Sequence, residues 1–393
     1  MGRARKSPVV DTAVLVESIK ESQDETTNVV DILLQMCKDI DGLCRADMLE
    51  SVRSIPIRFT GFNRASQIGG FPLSCIHITH GPQHAGKSLL EMVKCISATE
   101  RGHIAVWVDV EQVFDKKFYT LLGGDLSKLI YKRTSTYEET IEEIDVIFKQ
   151  FRVMKDKELV PEDTCLFIVV DSLTKLMPKK LMKEVLKAGE QNDVDKQFRM
   201  LGMTKAMFNQ GWFDHLTPIV GRRDVGISFI VQERTNKIEM GGGFSRGPQK
   251  VEFQDKNDFK LKGGAALLYD NSLQCRVTVD KEIWDDKLKE KVGKIHNVHI
   301  AKNKVGYPNE EFKFYFYKKV GNYTLGIDYE RTLLEDLDTR GWIHTAGAWK
   351  SVHLDGDLDS DAIVRAQGMD NLTQALKDDS DVFQQIILAL DGR

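Results

Sequence analysis

Short runs of β-branched and aromatic residues recur along the chain from about Ile55 onward. They include Cys75–Thr79, Ile104–Asp109, Cys165–Val170 and Ile227–Val231. Each is too short for a helix that could bury itself, and each is bounded by glycine or charge, so each predicts a strand. Between them lie longer stretches with apolar residues at helical spacing. Strands alternating with helices need crossover connections, which predicts an α/β fold with a mostly parallel central sheet. Before Ile55 the pattern is different: Val14, Ile19, Val29, Ile32, Leu33 and Met36 recur loosely at helical spacing, predicting an N-terminal helical arm within residues 1–54.

The pattern fades between Thr235 and Lys262, where Gly241 to Pro248 has the composition of a mobile loop. A loop of that length inside a compact domain is usually functional or disordered. From about Leu325 a small α+β unit is predicted, with turns at Arg340–Trp342 and Gly347–Trp349 and a last helix near Asp381–Leu390. The expected division is an arm over 1–54, an α/β core over 55–320 and a small C-terminal domain over 321–393.

Composition narrows the picture. Hydrophobic residues are 41% and charged residues 29% of 393, enough apolar content for a sizeable core. With 55 Lys+Arg against 59 Asp+Glu the net charge is −4, so any attraction to polyanions must come from local clusters. No apolar run approaches the ~18 residues of a membrane span. The basic start, Met1 to Ser7, leads into no apolar segment of the kind a secretory signal has. Six cysteines without any C-x-x-C pair predict thiols, with neither a zinc cluster nor a disulfide framework.

The chemistry starts at Gly81-Pro82-Gln83-His84-Ala85-Gly86-Lys87-Ser88, which fits G-x-x-x-x-G-K-[ST] between a predicted strand and the helical run beginning at Leu89. In such a loop the glycines let successive backbone N–H groups turn towards phosphate oxygens, with a helix N-terminus behind them. Lys87 then meets the β- and γ-phosphates, and Ser88 meets Mg²⁺. Leu166–Asp171 is a buried strand ending in an acid, so Asp171 is the candidate metal-side carboxylate beside Ser88. Taken alone, a strand-end Asp is more often a helix cap; the phosphate loop reverses that preference. Hydrolysis also needs a carboxylate to orient or deprotonate water, and Asp109-Val110-Glu111 offers Glu111 at the same edge of the sheet.

The order of these segments resembles the RecA recombinase family, over roughly residues 55–390. Gly69-Gly70-Phe71-Pro72 resembles the family's segment before its phosphate-loop strand, and Asp109 to Asp115 resembles its acidic strand end. The resemblance implies a RecA-like P-loop NTPase core, ATP and Mg²⁺ as cofactors, and Glu111 as catalytic base. It also implies Asp115 as an adenine contact and Phe118, or adjacent Tyr119, as the ring stacked on the base. Phe229–Arg234 resembles the strand whose glutamine, here Gln232, senses the γ-phosphate, although Val231 stands where the family usually has Asn. Lys262-Gly263-Gly264 resembles the helix start after the second DNA loop, with Lys262 in place of the usual Thr. Lys302 and Lys304 resemble a pair reaching the neighbouring subunit's ATP.

Two loops would then hold single-stranded DNA. The first, Pro178–Gln197, carries five lysines, including Lys183, against four acids, with Arg199 just beyond. The second, Arg234–Lys262, carries seven basic residues, among them Arg234, Lys237 and Arg246, against four acids, with Phe244 as a candidate wedge and Gly263 and Gly264 at its end. Positive charge and flexible glycine suit phosphate binding with little base readout. What the resemblance implies is a cytoplasmic, nucleoid-associated, DNA-dependent ATPase. It would form homo-oligomeric filaments on single-stranded DNA, pair them with double-stranded DNA, and serve strand exchange, recombinational repair and the SOS response without a membrane. The arm and loop lengths lean towards a phage-encoded member in an infected cell. Two alternatives stay open: a hexameric helicase with the same core, and a non-catalytic protein that coats single strands.

Overall fold

In the computed structural model the described residues are 29–37, 44–48, 51–188, 194–221, 224–235, 259–261, 264 and 266–391. The chain divides into two units, Met1–Ser51 and Val52–Arg393. In the first, a helix spans Val29–Met36, and Arg45 pairs with Asp31 at 3.3 Å and with Asp47 at 2.9 Å.

The second unit opens with a short antiparallel pair, β1 (Ser54–Ile55) and β2 (Phe71–Pro72). Gly70 is required here by close approach, because a Cβ on it would lie 2.2 Å from the Ile55 carbonyl oxygen. The central strands follow: β3 (Cys75–Gly81), β4 (Ile104–Asp109), β5 (Leu129–Arg133), β6 (Leu166–Asp171) and β7 (Val225–Thr235). After these come β8 (Phe259–Leu261), β9 (Leu273–Asp285), β10 (Glu290–Asn303), β11 (Glu310–Tyr317) and β12 (Gly326–Asp328). Among the described residues they form one ten-stranded sheet, ordered β12-β11-β10-β9-β3-β7-β6-β4-β5, with β8 on β7.

The sheet is mostly parallel: β9-β3-β7-β6-β4-β5 run parallel, and the meander β9 to β12 and the β7–β8 pair are antiparallel. Parallel register decides where the chemistry goes. Gly81 lies beside Gln232, and Asp109 beside Asp171, so residues far apart in sequence meet at one carboxyl edge.

Alternation along each strand feeds two cores. Trp107, Phe167, Val169 and Ile230 face the helix Lys87–Glu100. Val106, Val108, Ile168, Val170 and Phe229 face the helices Tyr137–Asp156 and Val194–Val220. This period of two, buried on both sides, explains why the strands read as continuous apolar runs.

Two expectations are revised. The stretch 178–197, read as a loop from its lysines, contains the helix Lys179–Ala188, and a second helix starts at Val194. Leu181, Met182, Val185 and Leu186 carry a helical period that the charge reading passed over. The second loop, read as strandless, is closed by a stem in which Glu233, Arg234 and Thr235 pair antiparallel with Leu261, Lys260 and Phe259. After β12, which pairs with β11 of the large sheet, the chain continues into the helix Tyr329–Thr339 and a small C-terminal module. That module adds β13 (Ile343–Ala346), β14 (Trp349–Val352) and β15 (Val364–Gln367), with helices Gly368–Asp378 and Ser380–Asp391. It closes on its own core of Leu333, Leu334, Leu337, Trp342, Leu372 and Ile386. Its turns at Gly341 and Gly347 have positive φ, 75° and 61°, as those glycines suggest.

No described helix is long and apolar enough to cross a membrane. All six cysteines are free thiols, four of them buried.

Candidate active site

The helix Lys87–Glu100 begins at Gly86, whose φ of +96° places it in the left-handed region and which supplies no side-chain cap. Other helices are capped by their own side chains, Thr136 for Tyr137–Asp156 and Asp115 for Lys116–Leu121. The uncapped first turn after Gly86 therefore keeps donors available for an anion. Gly81 is needed for space: a Cβ there would lie 2.1 Å from the Val277 carbonyl oxygen, so β9 seats the loop.

The loop opens into a cleft of about 680 Å³. Its phosphate-loop wall is formed by Gln83, His84, Ala85, Gly86, Lys87, Ser88 and Leu89, and Glu111, Phe118, Asp171, Ser172 and Gln232 also line it. Lys87 Nζ donates to the carbonyls of Gly81 at 3.1 Å and Pro82 at 2.5 Å. Burial pushes its ammonium below the ordinary range, against the pull of Asp171, Glu233 and Glu111. Ser88 Oγ donates to Asp171 Oδ2 at 2.7 Å. Burial pushes the Asp171 carboxyl up to about 7; the Ser88 hydrogen bond opposes this, and nearby Glu111 and Asp109 add to it. A half-buried hydroxyl and a buried carboxylate in contact on the cleft wall are hard oxygen donors suited to Mg²⁺, so the residues present fit that ion.

Glu111 follows β4 by two residues. Its Oε1 accepts from Ser172 Oγ at 2.6 Å and from Gln232 Nε2 at 3.3 Å, while its backbone N–H reaches Asp171 O at 3.2 Å. Gln232 is fixed in turn by its own N–H, which donates to Thr174 Oγ1 at 3.0 Å. Asp109, the other acid of that strand end, is consumed by structure. It accepts from the backbone N–H of Gln112 at 2.7 Å and Phe114 at 3.0 Å, and from Tyr131 OH at 2.9 Å. This division of labour is why Glu111, and not Asp109, faces the cleft.

The far wall comes from the antiparallel half of the sheet, with Gly293, Lys294, His296, Phe316 and Lys318. His296 stacks on Phe314 at 4.7 Å and its Nδ1–H donates to Ala85 O at 2.7 Å, tying this wall to the phosphate loop. Phe118 faces Phe316 with ring centroids 6.0 Å apart.

The sequence reading is sorted by this geometry. Gly81 to Leu89, Glu111, Phe118, Asp171 and Gln232 come together. Tyr119 does not: it is fully buried in the core, so of the two adjacent rings only Phe118 reaches the cleft. Asp115 also stays outside the cleft wall, with its carboxylate accepting from the N–H groups of Lys117 at 2.7 Å and Phe118 at 3.1 Å. Lys302 donates to Leu268 O at 2.8 Å and Tyr269 O at 3.0 Å, and Lys304 to Tyr269 O at 3.5 Å, so neither lines this cleft. Lys183 is exposed on its helix, and Gly264 (φ +96°) packs where a Cβ would lie 2.7 Å from Ala206 Cβ. The side chains of Arg199 and Arg234, and residues Lys237, Phe244, Arg246 and Gly263, lie outside the described residues. Sequence reasoning missed Ser172, Thr174, His296 and Phe316. The first two were legible as hydroxyls directly after Asp171; the last two carry no local signal.

Comparison with known proteins gives the same frame. A family model described as the RecA N-terminal domain matches residues 40–321. The protein RecA of Thermotoga neapolitana is 26% identical over 338 residues, covering 86% of this chain and 83% of its own length. RecA of Bacteroides thetaiotaomicron is 25% identical over 342 residues, covering 86% and 87%. RecA of Corynebacterium aurimucosum is 25% identical over 346 residues, covering 85% and 75%. Because the family model spans well over half of its residues, this chain belongs to the RecA family.

Proposed function

We propose that the cleft binds ATP with Mg²⁺ and hydrolyses it, and that the chain acts as a DNA-dependent ATPase and recombinase on single-stranded DNA. The observation that carries this reading is the convergence of Lys87, Ser88, Asp171 and Glu111 in one cleft, with Gln232 hydrogen-bonded to Glu111 and sitting at the root of the second loop. Lys87 would leave the Gly81 and Pro82 carbonyls for phosphate oxygens. The N–H groups after Gly86 would hold the same phosphates, and Glu111, oriented by Ser172, would take the proton of the attacking water. Ser88 and Asp171 would hold Mg²⁺, which supplies positive charge against the phosphate oxygens. Phe118 and Phe316, which also line the cleft, offer aromatic faces suited to a planar base.

Gln232 gives the reading its link to DNA. Its amide touches Glu111, and one residue later the chain enters the stem of the second, basic loop. A contact between Gln232 and a terminal phosphate would thus be felt by that loop, so DNA affinity would follow nucleotide state. Lys302 and Lys304 would serve a neighbouring subunit's nucleotide in a filament, since neither lines its own cleft. Family membership and this linkage together favour pairing and strand exchange over the alternatives.

The test is ATP turnover with and without single-stranded DNA, with electron microscopy of the same samples. DNA-stimulated turnover with helical filaments is expected. Stimulation with closed rings would make the protein a helicase, and DNA binding without turnover would make it a coating protein.

A further inference from the structure

Glu233 occupies a joint in the fold. Gln232 is the last residue of β7 in register with the phosphate-loop strand β3, opposite Gly81, whereas Glu233 is the first paired with Leu261 of the loop stem. The residue at the joint is a carboxylate whose side chain is only 5% exposed. Burying a charge there demands partners. Glu233 Oε1 accepts from His80 Nδ1–H at 2.7 Å and from Arg276 Nε at 2.9 Å, and Oε2 lies 3.3 Å from Arg276 Nη2.

The chain of partners extends one step further. Gln274 Nε2–H donates to His80 Nε2 at 2.8 Å, which fixes the remaining proton of that ring on Nδ1, facing Glu233. His80 lies on β3, one residue before Gly81, and Gln274 and Arg276 lie on β9. Three strands therefore meet at one carboxylate, directly beneath the phosphate loop. Neighbouring residues of a strand point to opposite faces, so Gln232 is directed to Glu111 while Glu233 is locked on the other side.

We propose that Glu233, His80, Arg276 and Gln274 form a clamp that fixes the root of the second loop to the phosphate-loop strand, making Glu233 the positioning residue through which nucleotide in the cleft reaches that loop. This rests on the cleft binding nucleotide, as argued above. With the clamp intact, any displacement of β3 or of Gln232 by a bound phosphate moves the stem. With it broken, the stem is free of the sheet on that side, and Gln232 can shift without carrying residues 233–235 and 259–261.

The experiment is amide hydrogen exchange across residues 232–235 and 259–261 of the full chain, with and without Mg²⁺ and a non-hydrolysable ATP analogue, alongside the analogue's binding constant. In the unaltered chain the analogue slows exchange in the stem. In Glu233→Gln, which keeps the shape but places an amide NH₂ against Arg276, that slowing falls by roughly tenfold, the scale of a hydrogen bond to a charged group, while the analogue binds as before. His80→Asn alone, whose Nδ2–H takes the place of Nδ1–H against the intact Glu233 carboxylate, keeps the response. Should E233Q not fold, Arg276→Lys, which keeps the charge and loses the two-point contact, takes its place.

Stem exchange that answers the analogue equally in E233Q and in the unaltered chain would overturn the clamp and leave nucleotide binding standing. So would an unaltered chain that binds the analogue with no change in the stem. An unaltered chain that binds no analogue would remove the nucleotide reading, and the clamp's role with it.

Discussion

Two parts of the cleft lining are built on different principles. Around the phosphate loop the polar groups hold one another: Lys87 on the loop carbonyls, Ser88 on Asp171, Ser172 and Gln232 on Glu111. Elsewhere the lining holds two rings with centroids 6.0 Å apart, Phe118 on the helix Lys116–Leu121 and Phe316 on β11, with half-buried Lys294 on β10; the two strand residues follow the phosphate loop by about two hundred residues. On the proposed function, the first needs atoms in a fixed array, because developing charge rewards preorganised donors. The second needs only a flat apolar surface at a suitable distance. Substitutions should therefore split cleanly, with turnover lost in one part and affinity in the other.

The largest effect is expected from Glu111→Gln. Losing the proton acceptor should lower kcat by about 10²–10⁴-fold, with nucleotide and DNA binding preserved. Single-turnover kinetics and a nucleotide binding isotherm check both halves, and normal turnover would refute the assignment of Glu111. Phe316→Ala comes next. Removing one aromatic face should weaken nucleotide binding by about 1–3 kcal/mol, the range seen for stacking on a base. That loss should be in KM with kcat unchanged, because a base contact is made equally in ground and transition states. An equal fall in kcat would mean that the two parts are not separable.

This contrast also explains which parts of the site were legible from residue order alone. Gly81 to Ser88 is contiguous because successive backbone N–H groups must point to one place, and only a fixed string of residues does that. Asp171 and Glu111 were readable as acids at strand ends, since parallel register brings strand ends together. Phe316 was not readable, because a phenylalanine on an antiparallel strand is ordinary core material until a fold brings it opposite Phe118. The helix Lys179–Ala188 is obscured for another reason: its lysines have the look of loop charge although its leucines and valine keep a helical period. The clamp at Glu233 is a further case, since its four members come from three strands and only topology unites them.

A third prediction separates the cleft from the scaffold below it. His77, at the other end of β3 from the phosphate loop, is fully buried and its Nε2–H donates to Pro72 O at 2.7 Å. Burial, reinforced by nearby Lys94, pushes it down to about 3 from an ordinary 6.5. The folded state thus holds a neutral ring while the unfolded chain takes up a proton below pH 6.5. This contribution to stability is complete above that pH and is lost progressively as pH falls towards 3. At pH 5 the loss should be about 2 kcal/mol from this one group. Denaturant unfolding at pH 7.5 and pH 5 measures it, and His77→Gln, which keeps a donor for Pro72 O, should flatten the difference. A slope unchanged in that variant would place the acid sensitivity in other groups, His80 and His296 first, since burial lowers both.

The smallest effect tests whether Asp115 belongs to the base site at all. The family resemblance makes it an adenine contact, yet its carboxylate caps the helix Lys116–Leu121 through two backbone N–H groups and does not line the cleft. A capping carboxylate replaced by alanine should cost about 1 kcal/mol of stability. Nucleotide affinity should then change only as far as the frayed helix loosens Phe118, whose own N–H is one of the two donors. Asp115→Asn, which still caps, supplies the control: it should recover the stability and the affinity together if the carboxylate acts through the helix. If instead Asp115→Asn holds its stability but loses affinity as Phe316→Ala does, the charge itself touches the base, and the aromatic wall has a polar partner after all.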